Sequence, residues 1–186
     1  MRILGVDPGL TRCGLGVIDA GAGRSLALVD VSVAGASATL PGPDRLGIVA
    51  DAVDAAFDAF RPDALAIEQV FAQHNVRTVM GTAQISGVIM VMARHRGVPV
   101  VTYTPSEVKA AVTGSGRADK KQVAFMVAKA LGLDAPPTPA DAADSLAIAI
   151  THARRHAQAV PASTGGGGTA AQRRWLEAEK AARRRA

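Results

Sequence analysis

Cysteine is almost missing from this chain of 186 residues: Cys13 is the single one, so no internal disulfide can form. At this length one hydrophobic core buries roughly 70% of the surface that the unfolded chain would expose, and neither a disulfide nor a structural metal is needed to hold it. A lone thiol also fits a reducing compartment. Long apolar runs are missing too. The longest strongly apolar stretch, Ile85 to Ala93, stops at Arg94-His95-Arg96 and is less than half of the roughly 20 residues a membrane span needs. No transmembrane helix and no membrane partner are expected. Asp7, Pro8 and Gly9 stand where a secretory signal would keep its apolar run, so the expected location is the cytoplasm, with the chain translated in its mature form. Aromatic residues make up only 3%, beside 48% hydrophobic and 20% charged, a composition that is otherwise that of an ordinary globular domain.

What is abundant is positive charge, unevenly placed. The net charge of +5 is mostly in the tail, where residues 161 to 186 hold six basic side chains against Glu177 and Glu179. Residues 1 to 68 hold nine acids and five bases, whereas residues 69 to 160 hold five acids and ten bases. An acidic cluster beside a basic surface suits a metal site working on a polyanion.

Arg2 to Asp7 is a short apolar run closed by Pro-Gly and reads as a strand. Gly14 to Ile18 and Leu26 to Val33 read as two more, completing an antiparallel meander. From Asp44 the period becomes helical and Pro62 ends the helix; Ala64 to Glu68 is a buried strand, Thr78 to Arg96 a long helix, and Val98 to Tyr103 a fifth strand. Thr104-Pro105-Ser106-Glu107 starts a capped helix to about Thr113; Asp119 to Leu131 and Ala140 to Arg155 are two further helices. The predicted fold is α/β: a mixed five-stranded sheet, three antiparallel strands then two parallel ones, with helices on both faces. The domain is expected over residues 1 to 157, a glycine-rich linker over 158 to 169, and a basic, disordered or partly helical tail over 170 to 186.

Four carboxylates stand out by position. Asp7 ends strand one and Glu68 ends strand four, each in an apolar context where a charge is costly unless paired or metal-bound. If strand one is central and strand four lies beside it, the two acids meet. Asp141 and Asp144, three apart at the start of the last helix, share a face. Each aspartate alone also suits a helix cap or a first-turn acid. All four together, with no His or Cys partner, favour magnesium, with manganese as a substitute. Two such ions about 3.5 to 4 Å apart activate a water and stabilise the leaving oxygen in phosphoryl displacement. Lys109, Arg117, Lys120 and Lys121 flank the Gly114-Ser115-Gly116 loop, a place for phosphate contacts or simply a solvated face. Phe71, in the polar loop after Glu68, either stacks on an unpaired base or folds into the core. His152 and His156 have the spacing of a zinc pair but no third ligand, so an exposed helical face is expected.

Taken in order, several motifs resemble one family. They are Gly-Val-Asp-Pro-Gly-Leu-Thr-Arg-Cys-Gly at 5 to 14, Ile-Glu-Gln-Val-Phe at 67 to 71, Val-Met-Gly-Thr-Ala-Gln at 79 to 84, Pro-Ser-Glu-Val-Lys at 105 to 109, and Ala-Asp-Ala-Ala-Asp-Ser-Leu-Ala-Ile-Ala-Ile-Thr-His at 140 to 152. The chain resembles the RuvC family of bacterial Holliday junction resolvases, within the RNase H-like superfamily, over roughly residues 1 to 157. That resemblance implies Asp7, Glu68, Asp141 and Asp144 as catalytic, magnesium-binding acids, Phe71 as the aromatic acting at the junction centre, and Lys109 and Lys120 as DNA contacts. It also implies a homodimer that symmetrically nicks two opposed strands of a four-way DNA junction in recombination and repair, together with the RuvA and RuvB branch-migration proteins. The helix Thr78 to Arg96, through Ala83, Ile85, Val88, Ile89 and Met92, is the candidate dimer interface, although the same residues also suit a core. The tail matches no family motif. A nucleotide-dependent kinase of the actin type is disfavoured, because 186 residues cannot supply its two domains. A relative acting on RNA ends and a junction-binding protein without activity remain as alternatives.

Overall fold

The computed structural model describes residues 1–69, 76–159 and 174. In chain order the elements are β1 (Arg2–Asp7), β2 (Cys13–Ala20), β3 (Leu26–Ala34), α1 (Gly42–Phe60), β4 (Ala64–Glu68), α2 (Val76–His95), β5 (Val100–Tyr103), α3 (Pro105–Thr113), α4 (Lys120–Leu131) and α5 (Ala140–Ala159). Among the described residues they form one five-stranded sheet in the order β3-β2-β1-β4-β5. The β1–β2 and β2–β3 pairs are antiparallel, and β1–β4 and β4–β5 are parallel. The expected mixed sheet is therefore present, with β1 central and β4 beside it.

Element ends differ from expectation for local reasons. Helix α1 stops at Phe60, because a residue before proline is pushed out of the helical region. Arg61 turns left-handed at φ 46° and donates its N–H to the Phe57 carbonyl at 2.9 Å. Strand β5 begins at Val100 rather than Val98, since Val98 N–H is spent on the Ala93 carbonyl at the end of α2 and Pro99 has no donor. Thr104 and Glu107 form the expected capping box on α3. Asp119 stands outside α4 as its cap, with Gln122 bonding back to it.

Strand parity divides the core. Leu4, Val6, Leu15, Val17, Leu65 and Ile67 point to one face, where Val49, Val53 and Phe57 of α1 and Ile85 and Ile89 of α2 cover them. Ile3, Ile18 and Ala66 point to the other, under α5 with α3 and α4 around it. On that face β1 and β2 present glycine: Gly5 lies opposite Gly16, and Gly14 opposite Asp7. A Cβ at Gly5 would overlap the Ser145 carbonyl, one at Gly14 the Asp141 carbonyl, and one at Gly16 would come within 2.9 Å of Leu146. These three positions let the backbone of α5 rest directly on the sheet, the use of strand glycine that close approach demands.

Candidate active site

Asp7 and Glu68 are the last residues of adjacent parallel strands. The register pairs Val6 with Ile67, so the two acids fall next in line. Alternation sends both to the α5 face, because Gly5 and Ala66, two residues earlier, already lie there. Helix α5 comes down on this edge with its first turn over Gly14, which itself pairs with Asp7. Ala142, Ala143, Ser145 and Leu146 are buried, and Asp141 and Asp144 keep partial exposure at the rim. The structure thus gathers all four acids at one sheet edge.

Their electrostatics follow from this crowding. Burial pushes the Asp7 carboxyl up to about 7, reinforced by the charges of Glu68, Asp144 and Asp141 and opposed by Lys120. Glu68 is raised by burial and then by Asp144, against Lys120 and Lys109. Lys120, at the start of α4, places Nζ 3.0 Å from Asp144 Oδ2, and that hydrogen bond holds its ammonium above the ordinary lysine range. Arg12, in the β1–β2 turn, sets its Nε 3.0 Å from Asp141 Oδ2. Among the described residues no three acid, His or Cys side chains close on a single point, and Arg12 and Lys120 each hold one of the carboxylates. The donor set is nevertheless that of a hard divalent cation: oxygen only, partly buried, and with one member, Asp7, raised to about 7 by burial and then by its like-charged neighbours.

The predicted basic residues separate. Lys120 is inside the site, and Lys109, within α3 rather than at its end, is near enough for its charge to act on Glu68. Arg117 and Lys121 are exposed on the α3–α4 loop and the first turn of α4 and touch none of the four acids. Phe71, residues 160–169 of the expected linker and the tail apart from Arg174 lie outside the described residues, while residues 158 and 159 close α5. The expected exposed face for His152 is corrected: it is 8% exposed, its Nδ1 2.9 Å from the Tyr103 hydroxyl, while His156 one turn on is exposed. Of the residues named on α2, the core reading holds for four and Ala83 faces outward. Ile85 and Ile89 are core and Val88 and Met92 pack against it, whereas Met80, Ala83, Gly87 and Val91 face outward. Arg12 was missed from sequence, and so was the glycine seat of α5. The open depression lined by Arg2, Asp19, Phe60, Arg61 and Asp63 is at the opposite end of β1 and includes none of the four acids.

A mixed sheet whose two central parallel strands end in carboxylates, with a helix laid across them carrying two more, defines an RNase H-like nuclease fold. The crossover junction endodeoxyribonuclease RuvC family model matches residues 3–152. A RuvC from Paenarthrobacter aurescens is 54% identical over 186 residues, covering 100% of this chain and 98% of the relative. One from Parafrankia is 62% identical over 152 residues, 82% of this chain and 85% of the relative. The solved structure of Thermus thermophilus RuvC in complex with Holliday junction substrate is 36% identical with a TM-score of 0.81, over 86% of this chain and 96% of that one. The chain belongs to the RuvC family of crossover junction endodeoxyribonucleases, which are metal-dependent hydrolases of DNA.

Proposed function

We propose that this protein resolves four-way DNA junctions by nicking two opposed strands, with Asp7, Glu68, Asp141 and Asp144 as its cutting centre. The observation that carries the reading is the meeting of Asp7 and Glu68 on adjacent strand ends beneath the first turn of α5. The four carboxylates would hold magnesium, which manganese replaces, with two ions per site. Bound there, the metal supplies an activated water and charge stabilisation at the leaving oxygen. The chain's own part is to position and to balance charge. The strand ends fix Asp7 and Glu68 rigidly, and the glycine seat fixes the height of Asp141 and Asp144 above them. Lys120 and Arg12, already paired with Asp144 and Asp141, are the cations nearest the cut phosphate and accept part of its charge.

Lys109, Arg117 and Lys121 extend this basic surface to phosphates further along the strands, and Phe71 acts on bases at the junction centre. The protein works as a homodimer, since two copies of one site match a two-fold pseudo-symmetric junction. The outward α2 positions Met80, Gly87 and Val91 suit the pairing surface: Met80 and Val91 are about half exposed, and a Cβ on Gly87 would meet nothing within 4 Å among the described residues. RuvA and RuvB are its expected partners and the cytoplasm its place of work. No helix among the described residues is long and apolar enough to cross a membrane.

The test is cleavage of a synthetic four-way junction with a mobile core, against linear duplex of the same sequence, in magnesium or chelator, by wild type and Asp7→Asn. Paired symmetric nicks on the junction alone, lost in chelator and in Asp7→Asn while binding persists, are expected. Binding without cleavage across metals and core sequences would leave a recognition protein in place of a resolvase.

A further inference from the structure

We infer that the outward stripe of α4, Lys121, Phe125 and Lys129, seats the sugar-phosphate backbone of a duplex arm as it leaves the cutting site. This rests on the DNA reading above and extends it beyond the residues at the acids. Phe125 is 60% exposed, the most exposed large apolar side chain among the described residues. The helix does not need it for folding, because Val123, Val127 and Ala128 are buried and Met126, Ala130 and Leu131 pack against the core. One exposed aromatic is ordinary; its setting is not. The three residues are spaced four apart and so share one line along the helix, a lysine on each side of the ring. Between Lys120 and Leu131 there is no acid to neutralise them.

The stripe is also continuous with the site. Lys120, next to Lys121, is bonded to Asp144, so a strand cut at the carboxylates passes the first turn of α4 as it leaves. Lys121 and Lys129 are about 12 Å apart at 1.5 Å per helical residue. At about 3.4 Å of axial rise per base pair, that spans three to four base pairs. The two ammonium groups meet phosphates of that stretch. Paired bases offer no free ring face, so Phe125 lies against deoxyribose between them. Such contacts carry no sequence preference, which suits an arm whose sequence varies.

The experiment is equilibrium binding of the full chain to a four-way junction and to a linear duplex over a salt series. It compares wild type with Phe125→Ala, Lys129→Gln and Lys129→Arg, and melting temperature and sedimentation are recorded for each. Lys129→Gln is expected to weaken binding several-fold at low salt and to lower the slope of log affinity against log salt by about 0.9 per protomer. Lys129→Arg is expected to recover both, and Phe125→Ala to weaken binding several-fold with the slope unchanged. Affinities within twofold of wild type would overturn the inference. So would losses accompanied by a lower melting temperature, or by a change in oligomeric state, which would make the stripe a protein interface. If wild type fails to prefer the junction, the resolvase reading fails; the backbone contact is still read on the duplex, where the same variants must weaken binding.

Discussion

Gly14→Ala tests whether the glycine seat sets the height of the catalytic aspartates. The added Cβ would overlap the Asp141 carbonyl oxygen and lie 3.0 Å from its carbon and 3.1 Å from Ser145 Cβ. Every clashing atom belongs to backbone or to a short buried side chain, so no flexible side chain can swing away. Reaching ordinary contact of about 3.5 Å means lifting the first turn of α5 by about 1 Å. Overpacking of this kind costs about 1–3 kcal/mol of stability. A 1 Å misplacement of catalytic groups costs about 100-fold in rate, which is roughly 2.7 kcal/mol in the barrier. Single-turnover cleavage of a junction at saturating protein should therefore fall about 100-fold while junction affinity stays within a few-fold of wild type. Gly47→Ala is the control: its Cβ would meet nothing within 4 Å among the described residues, and within α1 it should add about 0.5–1 kcal/mol and leave cleavage intact. A Gly14→Ala protein that cleaves at the wild-type rate would refute the seat as the positioning device.

The remaining predictions concern charge. Asp7 is raised to about 7 when folded, against 3.8 for a free aspartate, so the folded state holds more protons between those pH values. In chelator, the Asp7 contribution to stability should fall as pH rises from about 4 to about 7, so Asp7→Asn should gain on wild type over that range while abolishing cleavage; thermal melts of both proteins at pH 5 and 8 read it, and a difference between them that is the same at both pH values speaks against the raised carboxyl. Lys120→Met removes the cation that opposes the rise of both Asp7 and Glu68. The rising limb of its pH–rate profile for cleavage should move to higher pH, and an unmoved limb would disconnect Lys120 from the acids. Tyr103→Phe leaves the buried His152 Nδ1 without its partner and should cost about 1–3 kcal/mol in urea denaturation with cleavage retained. The His152 pKa is lowered by burial and then by His156, so charging this ring below about pH 6.5 costs stability and opposes the Asp7 trend; it is read as the acid-side loss that His152→Gln removes.

Strand ends and helix starts make the four acids legible in the sequence itself. Asp7 and Glu68 each close a run of small and branched apolar residues, and the order of strands and helices is enough to put β4 beside β1. Arg12 was not legible, because its partner Asp141 is 129 positions away and nothing local marks the pair. The glycines of β1 and β2 did carry a signal, since glycine inside a strand suggests close backbone approach. What the sequence could not say was which helix approaches. His152 was misplaced for a related reason: α5 is buried from Ala142 to Ala153 except at Asp144, so its apolar arc is wider than an amphipathic pattern implies, and burial ends only between His152 and His156. On α2 both sides are apolar, and periodicity alone cannot choose the one that meets the sheet.

The division of the sheet explains why a costly cluster can persist. On the α5 face, β1 runs Ile3, Gly5, Asp7 and β4 ends Ala66, Glu68, so the apolar and small positions lie under the body of the helix and the acids only at its end. The burial, and after it the like-charge repulsion, that raise Asp7 and Glu68 therefore act at the end of the helix, within reach of Lys120, and do not break the packing of Leu146, Ile148 and Ile150. Arg12 and Lys120 are exposed side chains on a turn and on a helix start, so their pairs with Asp141 and Asp144 are individually weak. Weak pairs are what such a site requires. A DNA phosphate or a divalent cation can displace them with little loss, whereas buried arginine–aspartate bridges would lock the acids away from both.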